Sequence, residues 1–273
     1  MMAGLVCAAL LFGRAAGEAS FDFTDGVPDA AETAAPTENP APTATLSPAF
    51  EMTVIRPAAQ QHHGAILIYH THTWEAYRQT DERYQETEKW RTKDERYNVV
   101  AVGEALTRAL TALGYTVVHD TTAFEPPKLA DAYARSLTML EQRTASGETY
   151  DLYIDLHRDA LCSDSVVYKT VAELPDAACS QVMLLVGTNA SGLYHPYWEE
   201  NLRLAVYLQD AVNAAHPTLM RPITLVNERY NQHLTRGSLI IEVGSSGNTL
   251  QEAIRAVRLF GESAGPALAR LVQ

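Results

Sequence analysis

From Ala65 onwards the chain alternates two hydrophobic patterns. Short runs of Val, Ile and Leu are typical of strands buried on both faces, and apolar residues three and four apart are typical of amphipathic helices. Strands are predicted at 65–69, 115–118, 152–156, 182–186 and 238–241, and helices around 99–113, 133–140, 198–212 and 250–257. This alternation predicts one three-layer α/β domain with a mostly parallel central sheet flanked by helices.

Local signals place some helix ends. Thr92 with Glu95 forms a capping-box pattern ahead of the first predicted helix, and Gly114 is placed to end that helix. Thr249 with Glu252 forms the same pattern at the start of the last predicted helix.

The first 60 residues have a different composition. Residues 1–19 contain a short apolar run followed by small residues, which indicates a signal peptide or a truncated membrane segment. Residues 20–60 are rich in Ala, Pro and Thr and are predicted to form a disordered linker, apart from one short strand at 52–55. The folded domain is expected over 61–273, and the protein is expected to be exported.

Charge and cysteine content narrow the class of protein. The formal net charge of -12 argues against nucleic-acid binding, which depends on an excess of Lys and Arg. Export would permit a disulfide between Cys162 and Cys179, and the alternative is that both are small buried hydrophobic residues.

Three of the apolar runs end on residues that can bind or serve a metal: His70, His157 and Glu242. The carboxyl ends of parallel strands line one crevice, so these residues are expected to converge. Histidines and carboxylates in such a crevice predict zinc-dependent hydrolysis. Glu242 can act there as general base, or it can be a structural residue bonded to the following turn.

The residues around the first two strand ends supply further candidates. The segment 68–77 also contains His72 and Glu75, which makes it dense in metal-ligand types. Asp155 lies on the same pleat face as His157, so Asp155 or Asp159 can accept its second N–H.

The remaining polar candidates each have two interpretations. Arg158 can belong to a local ion-pair network or contact substrate. Asn231 and His233 precede the Glu242 strand and can hold substrate, or can belong to an ordinary polar loop. Three histidines at other element ends are predicted to be surface residues, namely His119, His195 and His216.

Four segments together carry a family resemblance: IYHTHTWEAY, DLHRDA, RYNQHL and IEVGSSGNTLQEA. In this order they resemble the stage II sporulation protein P family, cell-wall hydrolases related to zinc-dependent N-acetylmuramoyl-L-alanine amidases, over residues 65–271. The resemblance implies an amidase-like fold, a single Zn²⁺, and cleavage of the amide between N-acetylmuramic acid and the L-alanine of the stem peptide. Endopeptidase activity on peptide crosslinks is also implied.

The resemblance also implies residue roles. His70 and His157 correspond to histidine ligands and Glu242 to the catalytic glutamate. Glu75 is the expected third ligand because it lies inside a matching segment, whereas the related amidases point to Glu95. Residues with an expected substrate-binding or supporting role are His72, Asp155, Arg158, Asp159, Asn231 and His233.

By the same resemblance, the substrate is peptidoglycan during sporulation engulfment and the partners are sporulation proteins D and M. The expected location is outside the cytoplasm, at the cell wall or outer membrane face, in the space between forespore and mother cell. Two alternatives remain open: a zinc peptidase acting on free or wall peptides, and a non-enzymatic wall-binding scaffold.

Overall fold

The computed structural model describes residues 64–81, 83–163, 166–175 and 177–271. The strands are β1 Ala65–Tyr69, β2 Thr116–His119, β3 Leu152–Asp159, β4 Val182–Gly187, β5 Thr224–Val226 and β6 Ser238–Ser245. The helices are α1 Val99–Ala112, α2 Ala132–Ala145, α3 Trp198–Ala215 and α4 Leu250–Leu271. The predicted amino-terminal segment, linker and strand at 52–55 lie outside the described residues. None of the helices in these ranges combines the length and apolarity needed to cross a membrane.

The strands form one six-stranded sheet in the order β2-β1-β3-β6-β4-β5. The neighbours β2, β1, β3 and β6 all run parallel. The pair β4 and β5 is parallel within itself but antiparallel to β6. The predicted α/β class with a mostly parallel sheet is therefore confirmed, although the short strand β5 and the reversal at β4 were not predicted.

Helices cover both faces of the sheet. On one face Leu140 of α2 packs on Leu67 and Tyr69 of β1 and on Tyr153 of β3. On the other face α1, α3 and α4 pack together, and the backbone of α4 at Gly261 lies close to the side chain of Leu106 of α1. The carboxyl ends of β1, β3 and β6 thus lie at one edge of the sheet. The first turn of α2 lies next to that edge.

Two of the three predicted helix-end signals are confirmed: Gly114, with φ 91°, directly follows the C-cap of α1, and the capping box of α4 is formed. The Thr249 hydroxyl accepts the Glu252 N–H at 3.2 Å, and the Glu252 carboxylate accepts the Thr249 N–H at 3.0 Å, so the capping box of α4 is confirmed. The predicted box at Thr92 is wrong. Asn98 caps α1 instead by accepting the Val100 N–H at 2.9 Å, because residues 92–97 form turns that support the neighbouring loop.

The predicted disulfide is not formed. Cys162 lies in a bridge opposite Val167, and Cys179 lies in a separate bridge opposite Ala172. Cys179 is buried and its thiol donates to the Ser180 carbonyl at 3.3 Å. The two cysteines therefore lie in separate bridged segments.

A buried ion pair joins the loop after β2 to α2 and makes a pH-dependent prediction. Asp120 accepts from Arg143 at 2.7 Å and from the Thr122 N–H at 2.9 Å. Burial on its own raises the pKa of Asp120, but these hydrogen bonds outweigh it and lower the pKa. The stabilising contribution of a carboxylate with a lowered pKa is complete above its unfolded value, about 3.9, and is lost as the pH falls through the folded value.

Asp120→Asn is therefore expected to lower the free energy of unfolding by about 1.5–3 kcal/mol at pH 7. The gap between the two proteins should shrink below about pH 4 as the wild-type carboxylate protonates. Urea unfolding of both proteins at pH 7 and pH 3 measures this gap, and a gap of equal size at the two pH values would contradict the prediction.

Candidate functional site

The strand register decides which side chains lie together at the carboxyl ends of β1, β3 and β6. Tyr69 of β1 is level with Asp155 of β3, and His157 of β3 is level with Glu242 of β6. Residues level in neighbouring strands point to the same face, and positions two apart along one strand also do. Asp155, His157 and Glu242 therefore line the α2 face together.

His70 lies on the opposite face, which contradicts the prediction that it shares an ion with His157. It follows Tyr69 by one residue, so its side chain turns toward α1. Its Nδ1 donates to the Leu156 carbonyl at 2.8 Å, and its Nε2 lies 2.8 Å from His119 Nε2. A methyl group at Gly103 of α1 would lie 2.7 Å from His70 Nε2, so the histidine pair is packed directly under that helix.

Both ring nitrogens of His70 are thus occupied. A carbonyl only accepts, so Nδ1 carries the proton and Nε2 receives the N–H of His119. Burial and the neighbouring His119 lower the pKa of His70 to about 3, which keeps this ring neutral. His119 is correspondingly not the surface residue that the sequence predicted.

His157 stands between two carboxylates. Its Nε2 is 2.8 Å from Asp155 Oδ1, and its Nδ1 is 3.4 Å from Glu75 Oε2. Burial lowers the pKa of His157, but Asp155 and then Glu75 outweigh it and raise the pKa well above its usual range. Asp155 is itself held by the Thr71 N–H at 2.8 Å and the Thr71 hydroxyl at 2.7 Å. Asp155 therefore lies beside His157 Nε2 as its ion-pair partner, although the two groups do not form an aligned hydrogen bond.

His72 completes the group on this side of the sheet. Its ring meets the His157 ring edge to face, with centroids 5.4 Å apart. Tyr133, at the start of α2, stacks on His157 at 6.4 Å and meets His72 at 5.5 Å. Tyr230 packs on Tyr133 at 5.0 Å. Tyr133 and Tyr230 thus form an aromatic wall beside His72 and His157 on the α2 side.

Glu242 faces the same space. Burial raises the pKa of Glu242 to about 8; Glu75 and Asp159 add to the rise, while His157 opposes it. Its Oε2 is shielded from solvent and has no hydrogen-bond partner in the described part of the chain. A shielded carboxylate oxygen without a partner is costly, so this atom is available for a ligand or a proton transfer.

Arg158 and Asp159 have structural partners. The Arg158 guanidinium donates to the carbonyl oxygens of Ala76 at 2.9 Å and Trp90 at 3.1 Å. Its backbone N–H donates to Glu75 Oε2 at 3.1 Å, so this residue fixes the Glu75 turn against β3. Asp159 forms an ion pair with Arg221 at 2.6 Å. Of the two predicted partners of His157, Asp155 is therefore the one that lies beside it.

Asn231 and His233 lie in the loop beside α2. Asn231 donates to the Tyr133 carbonyl at 3.1 Å and to the Ser136 hydroxyl at 2.9 Å, which anchors the start of α2. The His233 ring lies 6.5 Å from that of His195. His195 is only 2% exposed, so its prediction as a surface residue is wrong.

The residues on the α2 side match the ligand chemistry of zinc. Two ligands of a tetrahedral site with bonds of about 2.0–2.1 Å stand roughly 3.4 Å apart, which matches the 3.4 Å between His157 Nδ1 and Glu75 Oε2. Glu95 is exposed and outside this group. Within the described ranges no group of three or more His, Cys, Asp or Glu side chains is arranged to hold a metal ion as it stands. The candidate donors that lie near one another on the α2 side are His72, Glu75 and His157.

Sequence reasoning missed two residues of this site. Tyr133 reads as an ordinary core position of an amphipathic helix. Glu125 sits in an irregular loop, yet it is buried and lies 3.9 Å from His72 Nδ1. No local pattern in the sequence marks either of them, because both reach the site through the chain topology.

The solved structures to which the chain has a distant similarity include two amidases. The CwlD amidase from Clostridioides difficile, in complex with the GerS lipoprotein, is 13% identical with a TM-score of 0.45, over 77% of this chain and 100% of that one. The apo form of the N-acetylmuramyl-L-alanine amidase Ami1 from Mycobacterium abscessus is 12% identical with a TM-score of 0.48, over 78% and 100%. Similarities this distant do not assign an activity.

The sequence comparisons are more specific. Stage II sporulation protein P of Bacillus subtilis strain 168 is 26% identical over 202 residues, which are 70% of this chain and 48% of that protein. The chain therefore spans about half the length of this curated relative. The model of the Stage II sporulation protein P family matches residues 18–263, so the chain belongs to that family.

Proposed function

We propose that this protein is a zinc-dependent peptidoglycan hydrolase of sporulation. It cleaves the amide between N-acetylmuramic acid and the L-alanine of the stem peptide, and it also acts on peptide crosslinks. The observation that carries the proposal is the convergence of His72, Glu75 and His157 beside Glu242 at one sheet edge. Family membership supports the same substrate.

His72, Glu75 and His157 would hold a Zn²⁺ ion, which when bound would supply a Lewis acid for the water and the scissile carbonyl. Glu242 takes the proton from the attacking water. The shielded Oε2 then passes this proton to the departing amine, so one carboxylate serves as base and then as acid. Asp155 keeps the His157 ring in place during both steps.

The aromatic wall can serve the substrate. Tyr133 and Tyr230 offer ring faces beside the histidines, where a sugar ring or an alanine methyl can pack. Arg158 holds Glu75 and is assigned to the scaffold of the site, because its side-chain hydrogen bonds go to backbone carbonyls.

The proposed substrate implies a location and partners. Peptidoglycan is outside the cytoplasm, so the protein works after export, in the space between forespore and mother cell. Removal of stem peptides exposes bare glycan for a second hydrolase, which fits cooperation with sporulation proteins D and M. These assignments follow from the family and from the substrate.

Digestion of purified sacculi by the full chain tests the proposal. With zinc present, mass spectrometry should find released stem peptides together with glycan strands that have lost them, and a zinc chelator should stop the release. Products confined to peptide fragments would indicate a zinc peptidase. Sacculus binding without products, and without any chelator effect, would indicate a scaffold and overturn the hydrolase.

A further inference from the structure

Glu125 is a buried acid next to the candidate zinc site. It lies in the loop between β2 and α2 and is 4% exposed. Its Oε1 accepts the Trp74 N–H at 3.1 Å and forms an ion pair with the Arg91 guanidinium. The same oxygen lies 3.9 Å from His72 Nδ1.

The ring nitrogen of His72 that faces Glu125 is Nδ1. Its Nδ1 is shielded from solvent and has no hydrogen-bond partner among the described residues. A carboxylate accepts only, so Nδ1 must carry the proton to interact favourably with Glu125. The far nitrogen, Nε2, is then the one with a free lone pair.

We propose that Glu125 is a positioning residue: its carboxylate holds the proton of His72 on Nδ1 and thereby presents Nε2 to the metal ion. This inference rests on the proposed function, in which His72 is a ligand. Metal-bound histidines usually give their second N–H to a carboxylate or a carbonyl. The 3.9 Å contact is longer than a hydrogen bond, so the proposal requires the His72 ring to move closer to Glu125 when the metal binds.

The turn at 71–74 anchors a carboxylate beside each of the two histidines. Asp155 stands 2.8 Å from His157 Nε2 and is fixed by the Thr71 N–H, just as Glu125 is fixed by the Trp74 N–H. Each proposed histidine ligand thus has its own carboxylate, and each carboxylate is anchored to the 71–74 turn.

Arg91 connects Glu125 to Glu75, the third proposed ligand. Its backbone forms a bridge with Glu75, and its guanidinium pairs with Glu125. The charge of Glu125 is therefore compensated without His72, which leaves the imidazole neutral and able to bind a metal. Arg91 therefore contacts both Glu75, through its backbone, and Glu125, through its guanidinium.

The test compares Glu125→Gln with Asp120→Asn in the full chain. Gln keeps the size of Glu125 and an acceptor for Trp74 but removes the negative charge. Asp120 is the matched control, because it is another buried acid of the same loop paired with an arginine, and its partners are Arg143 and Thr122. Zinc dissociation constants are measured by competition with a chromogenic chelator.

We expect Glu125→Gln to weaken zinc binding about 10- to 100-fold and Asp120→Asn to leave it within about twofold. Nitrogen-15 NMR of the zinc-loaded wild type gives a second readout that does not depend on a variant folding. It should show a proton on His72 Nδ1 and zinc on Nε2.

Four outcomes would overturn the inference. Wild-type zinc affinity in Glu125→Gln, or an equal loss in Asp120→Asn, removes the positioning role alone, as does zinc bound to His72 Nδ1. A wild-type chain with no zinc affinity overturns this inference together with the proposed metal chemistry. Zinc binding that depends on Glu125 without any sacculus digestion overturns only the hydrolase.

Discussion

Glu242→Gln is expected to lower the rate of sacculus digestion by about 100- to 10,000-fold while zinc content per chain stays at the wild-type level. The amide cannot take a proton from water at neutral pH, so the water loses its base and the leaving amine loses its acid. Glu242 is not among the three residues proposed to hold the ion, which is why metal binding should persist. Gln also fits the space of the half-buried side chain.

The measurement pairs elemental analysis for zinc with mass spectrometry of the released peptides. Glu252→Gln is the matched control, because it removes a largely buried carboxylate that caps α4 and pairs with Lys169 instead of facing the site. It should cost about 1 kcal/mol of stability and little activity. Full activity in Glu242→Gln would remove Glu242 from the chemistry.

His72→Ala is expected to lose bound zinc, and His70→Asn is expected to retain it. The strand parity places His70 under α1 with both ring nitrogens occupied, whereas His72 lies against His157 on the α2 face. Asn can still donate to the Leu156 carbonyl in place of Nδ1. His119 then loses its partner, so the His70 variant should be less stable by about 1–3 kcal/mol.

Zinc content after dialysis and urea unfolding of both variants measure the two effects separately. The expected pattern is loss of metal with modest loss of stability for His72→Ala, and the reverse for His70→Asn. The opposite pattern would restore His70 as the ligand and would remove His72 from the site.

Much of the fold could be predicted from the sequence because local patterns carry it. The apolar runs correspond to β1, β2, β3, β4 and β6, and the three-to-four spacing corresponds to all four long helices. The short edge strand β5 has no such run, and no residue within β4 marks that it runs antiparallel to β6.

The site was predicted in part for the same reason. Asp155 and His157 are two apart in one strand, so their common face follows from the pleat alone. The level pairing of His157 with Glu242 required in addition that β3 and β6 be neighbours and pair in this register. Glu125 and Tyr133 come from other elements, and nothing local to either residue places it beside His72.

The sequence by itself determined the elements, the α/β class and the set of ligand types that gather at the strand ends. Tertiary structure alone decided which histidine faces the site. A strand that is buried on both faces reads as a continuous apolar run, so AILIY does not reveal which face Tyr69 takes and hence where His70 points. Only the pairing of Tyr69 with Asp155, and the contact of Leu67 and Tyr69 with α2, settle that choice.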